Sequence, residues 1–247
     1  MTTRISTARR PLLAEFVGTA LLVTVVIGSG IAAAQLSTHD VGLQLLENSI
    51  ATALGLAVLI LLFGPVSGAH FNPVVTAADW LLGRRAQTGI SGAGVLTYTA
   101  AQTLGGIAGA VLANVMFDRA AVEIATKDRL TTGHVVGEVV ATAGLIALIF
   151  ALSRSGRAAL SAAAVGAYIG AAYWFTSSTS FANPAVTIGR MFSDTFAGIA
   201  PGSAPGFIAA QIVGGLLGLV LFVALYPDAP ETADQAVVPH HRDRSQP

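Results

Sequence analysis

Asn72-Pro73 and Asn183-Pro184 are the residues of this chain whose types and spacing most clearly point to chemistry. Pro suits the first turn of a helix, where no N–H partner is needed, and Asn is a strong N-cap. Each pair therefore predicts the start of a short helix. The first would run toward Gly83-Arg84-Arg85 and the second toward Met191-Phe192-Ser193-Asp194. Each helix start carries roughly half a positive charge from its aligned peptides. Two such ends facing one another repel cations and protons, while the two Asn amides can donate to the oxygen of a passing solute. One Asn-Pro pair alone is most simply a turn; two at matching places in a repeated chain are not.

Glu15 and Glu138 are the next candidates, because both fall inside apolar stretches. An acid at mid-depth of a membrane helix costs roughly 2.5–3.5 kcal/mol on insertion scales, so each needs partners. Proton transfer in a pump is one use. Bracing irregular backbone that leads into a half-helix is the other. The symmetric placement of Gln102 and Gln211 with the two acids favours bracing. His70 is a conceivable metal ligand or base, but neither His134 nor a carboxylate pairs with it in sequence. A pore-lining or loop-bracing role suits it better. The chain has no cysteine, no phosphate loop and no His-Glu-x-x-His site, so no metal or cofactor is expected.

These residues need a membrane to position them. The chain has 247 residues, 53% hydrophobic and 11% charged. A soluble domain carries about 25% charged residues, so this chain cannot cover a water-exposed globule. Six apolar stretches are long enough to span, at roughly 11–34, 46–64, 93–115, 134–153, 159–176 and 205–226. Two more, about 67–83 and 178–194, are too short and broken to span, and each contains an Asn-Pro. They predict re-entrant elements. Arg4, Arg9 and Arg10 ahead of an apolar run resemble a signal peptide, but the run is too long and contains Glu15, which predicts a retained first helix.

Arg4, Arg9, Arg10, Arg84, Arg85, Arg154 and Arg157 fall on one side of the six spans. The positive-inside rule makes that side cytoplasmic, with both termini inside a multi-pass plasma (inner) membrane protein. Three parts follow: a tail at 1–10, a channel domain at 11–226 and a disordered tail at 227–247. Net charge is zero and no basic tract grips nucleic acid.

The channel domain repeats itself, about 11–115 and 134–226. Ala100-Ala101-Gln102-Thr103-Leu104-Gly105-Gly106 matches Ala209-Ala210-Gln211-Ile212-Val213-Gly214-Gly215, with Gly109 and Gly218 in step. Each half runs Glu, Asn-Pro, Gln-x-x-Gly-Gly and contains three spans. An odd number of spans forces the halves into opposite orientation, an inverted repeat. The fold class is therefore all-α membrane protein, with six transmembrane helices and two half-helices. The Gly pairs predict close helix packing.

Ser67-Gly68-Ala69-His70-Phe71-Asn72-Pro73-Val74-Val75-Thr76 and Ser180-Phe181-Ala182-Asn183-Pro184-Ala185 resemble the paired Asn-Pro-Ala signature of the aquaporin, or major intrinsic protein, family. The resemblance covers about residues 11–226. It implies a right-handed six-helix bundle, a homotetramer with one pore per subunit and passive flux of small neutral solutes through a lipid bilayer. Val74 stands where the family has Ala, a mild change in packing. Val186 stands where the family has the Arg that lines the narrowest point of the pore. Carried over by distance from the Asn residues, the other filter positions are Thr52, Ala171 and Ser180. These four imply a wide, uncharged opening with two hydroxyls. The stretch from Asn183 to Ile199 also resembles an aquaglyceroporin branch associated with bacterial arsenic resistance. That association implies arsenite or methylated arsenicals, beside glycerol-like polyols, as solutes.

Arg190 lies four residues after Val186, on the same helical face. Lining the vestibule is one role; snorkelling to the interface, or pairing with Asp194, is another. Three readings of function compete. A passive channel fits best, and a water-conducting aquaporin is its variant. A secondary transporter also uses inverted repeats and broken helices, but needs buried ion ligands beyond the two Glu. An enzyme lacks any acid–base or nucleophile constellation.

Overall fold

The structure, a computed structural model, describes residues 9–84 and 88–227. The expectations for the tails, and for Arg4 and Arg85, fall largely or wholly outside these residues. Eight α-helices follow in order: α1 (Arg10–Leu36), α2 (Val41–Ser67), α3 (Pro73–Gly83), α4 (Gly92–Met116), α5 (Thr132–Arg154), α6 (Ser161–Phe175), α7 (Pro184–Gly189) and α8 (Ala204–Leu225). A 3₁₀ turn, Ala158–Leu160, leads into α6, and another, Arg190–Phe192, follows α7. Helices α1, α2, α4, α5, α6 with its leading turn, and α8 are long and apolar enough to cross a membrane. Six spans and two short helices match the expected architecture.

Helices α2, α4 and α5 begin where the sequence supplies a side-chain cap, whereas α1, α6 and α8 start without one. Asp40, Ser91 and Thr131 accept from the amides of Leu43, Gly94 and His134, satisfying donors that a helix start leaves free. Helix α1 packs along α4, and α5 along α8. Glycines make both approaches possible. A Cβ on Gly105 or Gly109 would collide with the Phe16 or Ala20 carbonyl of α1. A Cβ on Gly214 or Gly218 would reach 2.5 Å from the Val139 or Ala143 carbonyl of α5. The duplicated glycines thus set the same contact in both halves.

The half-helices differ in length. Helix α3 has 11 residues, but α7 has only 6. The second was expected to continue to Asp194. Its continuation fails because loop amides take the carbonyls that a longer helix would use. Ile199 N–H donates to Arg190 O, Ala125 to Met191 O and Glu123 to Phe192 O. The aligned dipole at the start of α7 is correspondingly smaller than the sequence reading assumed.

Candidate functional site: a passage between two half-helices

The backbone ahead of each half-helix is irregular in the same way. Ala69 and Phe71 have φ of 49° and 50°; Ser180 and Ala182 both have 49°. Left-handed residues with a Cβ cost roughly 1–3 kcal/mol each and need their surroundings to hold them. Two fully buried carboxylates do so. Glu15 accepts from His70 N–H (3.0 Å), Phe71 N–H (2.7 Å), Ser67 Oγ (2.6 Å) and Gln102 Nε2 (2.7 Å). Glu138 accepts from Phe181 N–H and Ala182 N–H, both at 2.8 Å, and from Gln211 Nε2 at 2.6 Å. The same glutamines also donate to Thr76 Oγ1 (3.0 Å) and Thr187 Oγ1 (2.9 Å). Those hydroxyls in turn donate to the Asn72 and Asn183 carbonyls. Both oxygens of each carboxylate are thus engaged by fixed donors, as a brace for the loop requires.

The two asparagines cap their own helices and reach across to the other repeat. Asn72 Oδ1 accepts from Val74 N–H, and Asn183 Oδ1 from Ala185 and Val186 N–H. Asn72 Nδ2 donates to Ala182 O at 2.7 Å, and Asn183 Nδ2 to Phe71 O at 2.8 Å. Each Nδ2 keeps one further hydrogen. Both asparagines line a common cavity of about 60 Å³ that runs between the two repeats. At the ~10–15 Å³ a water needs, that is room for roughly four small groups in file. Leu22, Leu56, Ile60, Leu145, Ile149 and Val165 line its walls. An apolar wall with a few polar groups suits a solute that need not stay fully hydrated.

His70 lines the cavity too, with Nδ1 3.1 Å from Thr76 Oγ1 and its ring 5.6 Å from that of Tyr98. No cluster of three metal-ligating side chains occurs among the described residues. Val74 packs toward α8, where a Cβ on Gly215 would collide with its γ-methyl. Pro73 and Pro184 occupy the first helical turns and Ala185 is fully buried.

Thr52, Ser180 and Val186 line the cavity. Ala171 does not; it is exposed on the outer face of α6. Tyr173 and Ile169 line the cavity in its place. Two residues along a helix turn the side chain by about 200°, so a small error in the carried distance moves a residue to the opposite face. The Tyr173 hydroxyl lies 3.1 Å from Thr52 Oγ1. Ser180 Oγ is buried without a partner. The passage is therefore narrower and more polar than four small side chains imply.

Arg190 also lines the cavity and is 2% exposed. It neither snorkels nor pairs with Asp194, whose carboxylate accepts from Thr126. Its Nε donates to Ala197 O, and its guanidinium lies 3.4 Å from the Phe181 ring centre. Sequence reasoning missed Tyr173, Phe181 and Arg129. Arg129 is buried in the α4–α5 loop, donates to Gly198 O and Phe196 O, and lies 5.3 Å from the same ring. Burial pulls its guanidinium down to about 10, against the opposing pull of Tyr173 and Glu138, so it stays charged at neutral pH. Helix α6 is apolar nearly all round, so its sequence carries no periodic signal that singles out Tyr173.

Residues 2–180 match the family model described as Major intrinsic protein. The chain is 44% identical over 232 residues to the aquaglyceroporin AqpS of Rhizobium meliloti (strain 1021), covering 91% of this chain and 97% of that one. It is 34% identical over 167 residues to the glycerol uptake facilitator protein of Pseudomonas aeruginosa, covering 58% of this chain and 57% of the other. Its fold is similar to the X-ray structure of the aquaglyceroporin from Plasmodium falciparum, with a TM-score of 0.63 at 20% identity over 90% of this chain and 96% of that one. The chain belongs to the major intrinsic protein family, as a multi-pass membrane channel, not an enzyme, that passes small neutral solutes passively.

Proposed function

We propose that the passage conducts small uncharged polyhydroxy solutes, with glycerol-like polyols and trihydroxides of metalloids such as arsenite, together with methylated arsenicals, as its substrate class. The carrying observation is a pairing of side chains in the lining. Apolar Val186, Ile169 and Phe181 share the lining with the hydroxyls of Thr52 and Tyr173 and the terminal amino groups of Arg190. A polyol presents a carbon side to the first set and its hydroxyls to the second. The similarity to an aquaglyceroporin and to a glycerol facilitator supports this reading over a strict water channel. Engagement of both oxygens of each glutamate by fixed donors counts against an ion-coupled transporter.

The test is stopped-flow light scattering on proteoliposomes with water, glycerol, arsenite and methylated arsenate. Polyol and trihydroxide flux well above protein-free vesicles supports the assignment. Water flux alone overturns it. Val186→Arg adds a second guanidinium to the lining and should restrict conduction toward water.

We further place both termini in the cytoplasm and the protein in the inner membrane, following the Lys/Arg asymmetry of the loops. We also infer a homotetramer from the family resemblance; the exposed apolar faces of α2 and α6, with Ile50, Leu54, Val58, Leu61, Trp174 and Phe175, suit either lipid or a neighbouring subunit. Protease protection in spheroplasts and the mass of the detergent-solubilised particle check these two points.

A further inference from the structure

The mouth bordered by the α4–α5 loop holds cations without ionic partners. Arg129 and Arg190 are 7% and 2% exposed. Buried charges are ordinarily paired, yet Arg119–Glu123 is the ion pair found among the described residues. The acids nearby are engaged elsewhere. Glu138 is filled by two loop amides and Gln211, Asp128 accepts from Ser203 and Leu130, and Asp194 accepts from Thr126. Both arginines meet only backbone carbonyls and the Phe181 ring. Of Arg190, only Nε is bonded. Its two terminal amino groups have no partner among the described residues, although the residue lines the passage. Arg129 leaves Nη1 free. Lys127 stands beside them, donating to Phe196 O at 3.3 Å.

We propose that Arg129 and Arg190 form a binding site for a small tetrahedral oxyanion, whose occupancy blocks entry of neutral solutes. Guanidinium edges match two oxygens of such an ion at once. The stack on Phe181 fixes the Arg190 plane, so little side-chain freedom is lost on binding. Past this point the ion would face Val186, Ile169 and the apolar walls, where a dehydrated charge is strongly disfavoured. It therefore stops at the mouth and competes with solutes that need the Arg190 donors. Blocking rests on the channel reading; binding does not.

The probe is inorganic phosphate against gluconate, at equal ionic strength and osmolality, in phosphatidylcholine so that no anionic headgroup competes. Two readouts separate the claims. Phosphate at about 10 mM should raise the unfolding temperature of the solubilised wild type by roughly 3 °C, and Arg129→Gln should lose that shift. In proteoliposomes the same phosphate should cut glycerol flux about twofold or more, with the half-blocking concentration about tenfold higher in Arg129→Gln and only partly restored by Arg129→Lys, which keeps the charge but not the fork. Equal unfolding temperatures in phosphate and gluconate for the wild type, or the same shift in wild type and Arg129→Gln, would overturn the site. A normal shift with unblocked flux would overturn the blocking role. Absence of glycerol flux without phosphate would instead count against the channel assignment.

Discussion

The hydroxyls of Thr52 and Tyr173 lie 3.1 Å apart, joining α2 to α6 in the lining of the passage. This pair comes from opposite repeats, so it measures how the two halves are set against one another. Tyr173→Ala removes the aromatic wall and frees Thr52 Oγ1. The flux of a four-carbon polyol relative to glycerol should rise by about tenfold, the effect of removing roughly 1.4 kcal/mol of barrier. Ala171→Leu, on the outer face of the same helix, should change that ratio by less than about twofold. A solute panel on both variants checks the register of α6.

Glu138→Gln should destabilise the protein. Its two oxygens serve Phe181 N–H and Ala182 N–H separately. An amide offers one acceptor oxygen, so one buried N–H loses its partner at a cost of about 1–3 kcal/mol. Glu15→Gln faces the same problem with His70 and Phe71 N–H. Thermal unfolding in detergent should show both variants less stable than wild type. If flux responded to a proton gradient in the wild type and lost that response in Glu138→Gln, the acid would be a relay and not a brace.

Gly106 and Gly189 meet where α4 crosses α7. A Cβ on Gly189 would lie 2.5 Å from Gly106 O, and one on Gly106 would lie 2.6 Å from Ala185 O. Both obstacles are backbone and cannot swing away. Either Gly→Ala substitution should cost about 1–3 kcal/mol, by unfolding or expression yield. Gly202, with nothing within 4 Å of its Cβ position, is the control and should tolerate Ala.

Lys127 carries a pH signature. Although Lys127 is solvent-exposed, local desolvation, then repulsion by Arg129 and Arg190, pull its ammonium from 10.5 down to about 8. Asp128, Asp194 and Glu123 share this loop region without pairing with it. The unfolded chain binds this proton up to about pH 10.5, the folded chain only up to about 8. Between those values the unfolded state holds more protons, so stability rises with pH. Below about pH 8 both states are charged and the penalty is constant. Unfolding temperature against pH should climb across this window in the wild type relative to Lys127→Met.

Much of this site was legible because it is written twice. Glu15 with Glu138, Asn72 with Asn183 and Gln102 with Gln211 are each recoverable by comparing the halves. Their geometry depends on local backbone demands that both halves share. Tyr173 was not legible in the same way, because its place depended on the number of loop residues between α6 and Asn183. Counting back through an irregular loop does not preserve helical phase. Arg129 was hidden for another reason. It sits in a loop with no repeat counterpart, and only the tertiary structure brings it to Phe181. The shortness of α7 was likewise set by remote amides, from Glu123, Ala125 and Ile199.

Passive conduction between the half-helices underlies every functional statement made of this channel. Glycerol entry into proteoliposomes, followed over a wide concentration range with and without imposed proton and sodium gradients, tests that directly. The predicted result is a rate that rises linearly past about 100 mM glycerol, well above the micromolar-to-millimolar range where carriers and enzymes saturate, and is indifferent to either gradient. Saturation at low millimolar glycerol, or acceleration by a gradient, would contradict it.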